Sequence, residues 1–215
     1  MIISLIGYMG CGKSSVGRRL SELLCCRFID LDEVVEAKAG KGVSEIFAED
    51  GEEAFRSLEL ESLKGILCDS GRGKEIPMTP VCASRIHPLA GGGMSSTSHS
   101  PHASAKQTAV MLSQKRFEGD TVGVLALGGG TVMTEECAEL VRENTCCIYL
   151  RATIETLIEH LSGEEECRPM LQGGILRERI TEHMSKRSST YEKTANIIID
   201  TDGKSIEQIC LEIAN

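Results

Sequence analysis

The stretch Gly7-Tyr8-Met9-Gly10-Cys11-Gly12-Lys13-Ser14 constrains this chain more than any other. An apolar run, residues 1–6, precedes it, and a helical pattern follows over residues 15–24, where Val16, Leu20, Leu23 and Leu24 recur on one face. With 22 glycines in the chain, such a match could arise by chance, but strand, glycine-rich turn and helix together are the context a phosphate-binding loop needs. The glycines let the backbone curl with its N–H groups inward, and the following helix end adds unpaired N–H groups and partial positive charge. Gly10, Cys11, Gly12, Lys13, Ser14 and Ser15 thus form a candidate anion cradle. Lys13 is placed to reach outer phosphates and the Ser14 hydroxyl to ligate Mg²⁺.

Composition bounds what surrounds this loop. A length of 215 residues suits one domain with appendages, and with no Trp, 3 Tyr and 4 Phe the core must be aliphatic. A net charge of −9 argues against general nucleic-acid binding, so an anionic nucleotide needs a local cluster of cations. Among 10 cysteines, Cys25-Cys26 and Cys146-Cys147 are adjacent pairs and no two C-x-x-C motifs combine, which suits reduced thiols better than disulfides or zinc. No stretch reaches membrane-spanning length, and the first apolar run is too short for a signal peptide. A cytoplasmic protein is expected, without membrane or nucleic-acid partners, and a monomer because no large apolar patch is evident.

The second strand is expected over residues 27–32, ending in Asp30-Leu31-Asp32, and alternation would put both carboxylates on one face. One could hold Mg²⁺ through water while the other accepts a proton from a hydroxyl; alone, the same pair reads as an ordinary capping Asp. Helices follow over 33–39, near 43–47 and from residue 52, the last carrying Arg56 and Glu59 one turn apart. That pair is either a solvated ion pair or a guanidinium held for a substrate carboxylate. Four of the 5 prolines and a serine-rich run mark residues 68–118 as a mobile surface insertion, with a possible helix over 107–117 and His87, His99 and His102 loosely spaced. A strand over 121–127 runs directly into Gly128-Gly129-Gly130, where a ligand could approach the backbone closely. Further strands are expected at 146–150 and 197–199, and helices at 154–161, 175–186 and 205–213. Residues 161–174, charged and glycine-flanked, suit a lid with Arg168 facing the transferring phosphoryl group; a surface arginine before a turn is the plainer alternative.

Taken together, Gly7 to Ser14, Asp30-Leu31-Asp32, Phe55-Arg56 with Glu59, Gly128 to Gly130, Arg168-Pro169-Met170-Leu171, and Lys186-Arg187 ahead of Tyr191 resemble the shikimate kinases. These are small phosphate-loop proteins similar to nucleoside monophosphate kinases. The resemblance implies an α/β fold, a three-layer α/β/α sandwich with a central parallel sheet, with residues 33–62 as a substrate-binding subdomain. It implies transfer of phosphate from ATP to shikimate, giving shikimate 3-phosphate and ADP on the route to chorismate and the aromatic amino acids. By that likeness Ser14, and Asp30 through water, hold Mg²⁺, and Asp32 binds ring hydroxyls and acts as base. Arg56 and Arg187 hold the carboxylate, the turn Gly128, Gly129 and Gly130 presents its backbone to the ring, and Lys13 and Arg168 stabilise charge on the γ-phosphoryl group. Where the family usually has an arginine for adenine, this chain has His160-Leu161, and Lys204 stands in for a second basic nucleotide contact. Glu164, Glu165 and Glu166 are expected to weaken nucleotide binding. Cys11 is either a small filler or, at the helix N-terminus, a thiol whose oxidation would block ATP. Two alternatives stay open: a kinase for another hydroxy acid such as gluconate, and a nucleotide-binding module without turnover.

Overall fold

The computed structural model describes residues 1–70, 123–162 and 175–214, with the side chains of residues 69 and 70 excepted. Five strands, β1 (Ile2–Ile6), β2 (Arg27–Asp30), β3 (Gly123–Ala126), β4 (Thr145–Arg151) and β5 (Ile197–Asp200), form one parallel sheet in the order β2-β3-β1-β4-β5. β1 is central and wholly buried, as a continuous apolar run on a two-sided sheet requires. Its side chains alternate: Ile3 and Leu5 enter one core cluster, Ile2 and Ile6 the other.

Helices cover both faces. On one face α1 (Lys13–Leu23), α6 (Ile154–Leu161) and α8 (Ile206–Ala214) bring Val16, Leu20, Leu157, Leu161 and Ile209 together. On the other, α2 (Leu31–Ala39), α3 (Val43–Glu49), α4 (Gly51–Ser70) and α5 (Glu135–Asn144) contribute Leu31, Val35, Ile46, Leu63 and Val141. The long α7 (Leu176–Thr194) reaches both clusters, with Ile180 in the first, Tyr191 in the second and Met184 against each. The result is the three-layer α/β/α arrangement. No helix among the described residues is long and apolar enough to cross a membrane.

Two expectations change. β2 ends at Asp30, and Asp32 belongs to the first turn of α2. Asp30 is the N-cap of that helix, its Oδ1 accepting the Asp32 N–H at 3.1 Å, so the chain turns between the two carboxylates instead of alternating along a strand. The final long helix does not stop at residue 186 but runs on to Thr194, so Arg187 and Tyr191 share a helical face. Arg168, Glu164, Glu165, Glu166, the part of the expected lid beyond residue 162, residues 71–118 of the insertion expected over 68–118, and the three histidines there lie outside the described residues.

The strands after β1 go first to one side of it and then to the other, so the chain reverses its winding at the carboxyl end of β1. In open parallel sheets a ligand crevice forms at that reversal. Here it falls at the glycine-rich loop.

Candidate active site

The loop between β1 and α1 curls because Gly10 and Gly12 adopt φ of +79° and +91°, a region other residues enter only with strain. Its outer wall is α6: a side chain at Gly10 would lie 2.9 Å from Leu161 Cγ, and His160 Nδ1 bonds the Gly10 carbonyl at 2.8 Å. Since a carbonyl only accepts, His160 Nδ1 is the donor. Lys13 Nζ donates to the Gly7 and Tyr8 carbonyls, each at 2.9 Å, and so arches back over the loop. Ser14 Oγ donates to Asp30 Oδ2 at 2.7 Å. The Cys11 side chain is buried in the core, with Sγ 3.9 Å from Lys13 Nζ. Such burial favours the small filler over an oxidisable thiol.

Gly10 to Ser15 line a cleft of about 590 Å³ that also includes Asp30, Asp32, Gly129, His160, Thr201 and Lys204. Burial, reinforced by the Asp30 and Glu59 carboxylates, pushes the Asp32 carboxyl from 3.8 up to about 6, with Lys13 opposing the shift. Lys204 is not a free cation there, for its ammonium pairs with Glu212.

Beside Asp32 lies a second group of charges. Glu59 on α4 is 1% exposed, yet it is ion-paired to Arg56 Nη1 and accepts the Thr131 hydroxyl at 2.6 Å. Arg56 keeps a second partner, Glu52, at 3.1 Å, and its guanidinium stays partly exposed. The glycine turn after β3 makes room for this group. A side chain at Gly130 would collide with the Arg56 guanidinium, and one at Gly128 would come 2.8 Å from Asp32 Oδ1 and 2.9 Å from Glu59 Oε1. At Gly129 it would meet the Met9 backbone nitrogen at 3.2 Å, so this turn packs against the phosphate loop itself.

From the far side α7 presents His183, Arg187 and Tyr191 at four-residue spacing. Tyr191 donates its hydroxyl to the Gly129 carbonyl, Arg187 Nη1 reaches the same oxygen at 3.4 Å, and His183 Nδ1 shares a 2.8 Å hydrogen bond with the Tyr8 hydroxyl. The Arg187 guanidinium also lies over the Tyr8 ring, 5.8 Å from its centroid. Lys13, Asp32, Arg56, Gly129 and Arg187 therefore come from five parts of the chain to one end of one sheet. Thr131, Tyr8 and His183 carry no mark in the sequence: their partners are 72, 175 and 175 residues away.

Comparison with known proteins decides the family. The shikimate kinase family model matches residues 9–72 and 106–215. A shikimate kinase from Dictyoglomus turgidum is 33% identical over 98% of this chain and 94% of its own length, and one from Rhodococcus jostii 30% over 98% and 96%. The chain belongs to the shikimate kinase family. A solved shikimate kinase from Acinetobacter baumannii, in complex with shikimate, shares the fold with a TM-score of 0.72 at 23% identity, covering 99% of this chain and 89% of that one. In this shikimate kinase, His160 hydrogen-bonds the phosphate loop and lines the cleft.

Proposed function

We infer that the protein transfers the terminal phosphoryl group of ATP to a hydroxyl of shikimate, giving shikimate 3-phosphate and ADP. The observation that carries this reading is the position of Asp32. It lines the phosphate-loop cleft together with Lys13, and the Gly128 turn brings it beside the Glu59 carboxylate that holds Arg56. A base thus stands between a cradle for phosphates and a guanidinium suited to a carboxylate.

In this reading the N–H groups of Gly10, Cys11, Gly12, Lys13, Ser14 and Ser15 hold the phosphates, and Lys204 borders the same cleft. Lys13 exchanges its loop carbonyls for phosphoryl oxygens, and Arg168 adds charge from a lid at residues 161–174. The Ser14 hydroxyl and the Asp30 carboxylate, 2.7 Å apart in the cleft, form the oxygen pair a hard cation prefers. Ser14 and Asp30 would hold magnesium there, and the ion would neutralise charge on the phosphate oxygens. Asp32 takes the proton of the attacking hydroxyl. Arg56 and Arg187 grip the carboxylate, and the turn Gly128, Gly129 and Gly130 bounds the ring. Residues 33–62 then form the acceptor-binding subdomain, and residues 68–118 are an insertion. Such chemistry needs chiefly positioning and charge stabilisation, which these groups provide.

A coupled ADP-release assay tests the reading with shikimate, with gluconate and with no acceptor. ADP formation is expected with shikimate; turnover on gluconate alone, or on neither, would overturn it. Arg56→Ala is expected to raise KM for shikimate about 10- to 100-fold, since a charged hydrogen bond contributes roughly 1.5–3 kcal/mol, and to leave KM for ATP nearly unchanged. Equal changes in both would remove Arg56 from the acceptor site. Because kcat/KM reports the free enzyme, its acid limb is expected near the Asp32 value of about 6. Below that pH the rate should fall about tenfold per unit as the base is protonated. An unchanged rate down to pH 5 would exclude Asp32 as the base.

A further inference from the structure

The Gly129 carbonyl receives two donors of unequal quality. Tyr191 delivers its hydroxyl from a side chain that is fully buried and braced by Tyr149, the two ring centroids 5.1 Å apart. Arg187, one turn earlier on the same helix, reaches that oxygen only at 3.4 Å, near the limit for a hydrogen bond. A part-buried carbonyl oxygen left with only one distant donor would draw that donor in, because an acceptor shielded from water is costly to leave unpaired. The guanidinium that would move is the one assigned to the acceptor's carboxylate.

We propose that Tyr191 is a positioning residue for Arg187: by satisfying the Gly129 carbonyl it leaves the Arg187 guanidinium free to grip the carboxylate of the acceptor. Burial pushes the Tyr191 phenol well above its ordinary value, so it stays a donor throughout the working pH range. The helix makes the arrangement possible, since a spacing of four places both side chains on the face turned toward the glycine turn. The opposite side of Arg187 is the Tyr8 ring, which attracts the cation without taking up its N–H donors. Arg187 is thus held near the site, sharing one hydrogen bond with the Tyr191 hydroxyl and keeping most of its N–H donors for the acceptor. The same bond fixes the orientation of the planar peptide joining Gly129 and Gly130, and with it the direction of the Gly130 N–H.

This inference rests on the reading that Arg187 holds the acceptor's carboxylate, and a double-mutant cycle separates the two. Tyr191→Phe is expected to raise KM for shikimate about five- to tenfold, the size of one ordinary hydrogen bond, with KM for ATP within about twofold. In an Arg187→Ala background the same change should add less than about twofold, because the residue it acts through is gone. Additive effects, or equal changes in both KM values, would overturn the inference. Arg187→Ala with no effect on KM for shikimate would instead bring down the acceptor reading and this inference with it. Should Tyr191→Phe melt below the assay temperature, Arg187→Lys answers the same question. If Tyr191 holds Gly129 unaided, Arg187→Lys raises KM for shikimate and leaves KM for ATP and the melting temperature unchanged. A parallel rise in KM for ATP would show Arg187 to be the residue holding the turn, and the inference would fail.

Discussion

Asp32→Asn is expected to lower kcat by about 10²- to 10⁴-fold, the usual contribution of a positioned general base, while making the folded protein more stable at neutral pH. Both halves come from the same burial. The carboxyl has been moved from 3.8 to about 6, so its ionised form is held in the native state against its preference. The sign follows from proton linkage. Between those two values the folded chain binds more protons than the unfolded chain, so stability falls as pH rises, and above about pH 6 the whole penalty is present. A displacement of that size corresponds to roughly 3 kcal/mol. Asparagine has nearly the same shape and no charge to bury, so most of that penalty should be relieved. Urea midpoints at pH 5 and pH 8 measure it: the gain from Asp32→Asn should be about half its full size at pH 5 and largest at pH 8. A variant that is inactive but no more stable at pH 8 would show that the carboxylate is not under the strain assigned to it.

The second large effect concerns Glu59. Glu59→Ala removes a carboxylate that is 1% exposed and bound to both Arg56 and Thr131. Breaking a buried pair by removing one partner typically costs about 3–5 kcal/mol, because the other charge is left without compensation. Arg56 retains Glu52 and partial access to water, so the cost should fall at the lower end of that range. The variant should also raise KM for shikimate, since Arg56 loses the side chain that orients it. Glu59 is one of the charges that push Asp32 upward, so the acid limb of kcat/KM should shift to lower pH. Stability loss without a shift in that limb would separate Glu59 from the base. A shift in the limb alone would make the ion pair energetically unimportant.

Much of this site was legible from residues alone. The phosphate loop shows itself through glycines at positions where the backbone must take positive φ, and through the strand and helix on either side of it. Arg56 and Glu59 could be paired because a helix brings residues three apart together. Asp30 and Asp32 could be assigned to the carboxyl end of a strand, but the mistaken strand alternation shows where pattern reasoning fails. The turn that makes Asp30 a helix cap depends on where β2 stops, and alternating polarity over so few residues does not mark that boundary. The end of α7 is hidden for a similar reason: polar residues run from Ser185 to Ser189, and only packing shows that the helix continues through them to Thr194.

Local chemistry in the chain therefore determined which residues could bind phosphate, accept a proton or carry a fixed charge, because glycine spacing, helical periodicity and strand polarity act over a few residues. Their environment was decided only on folding. Glu59 is buried against Thr131, the Gly130 turn admits the Arg56 guanidinium, His160 ties the loop to α6, and Tyr191 takes the Gly129 carbonyl. Each of these joins segments between 62 and 150 residues apart, or depends on the space a missing side chain leaves. Proton affinity, orientation and freedom to bind are set by such neighbours, and no short-range pattern encodes which neighbours a parallel sheet will bring together.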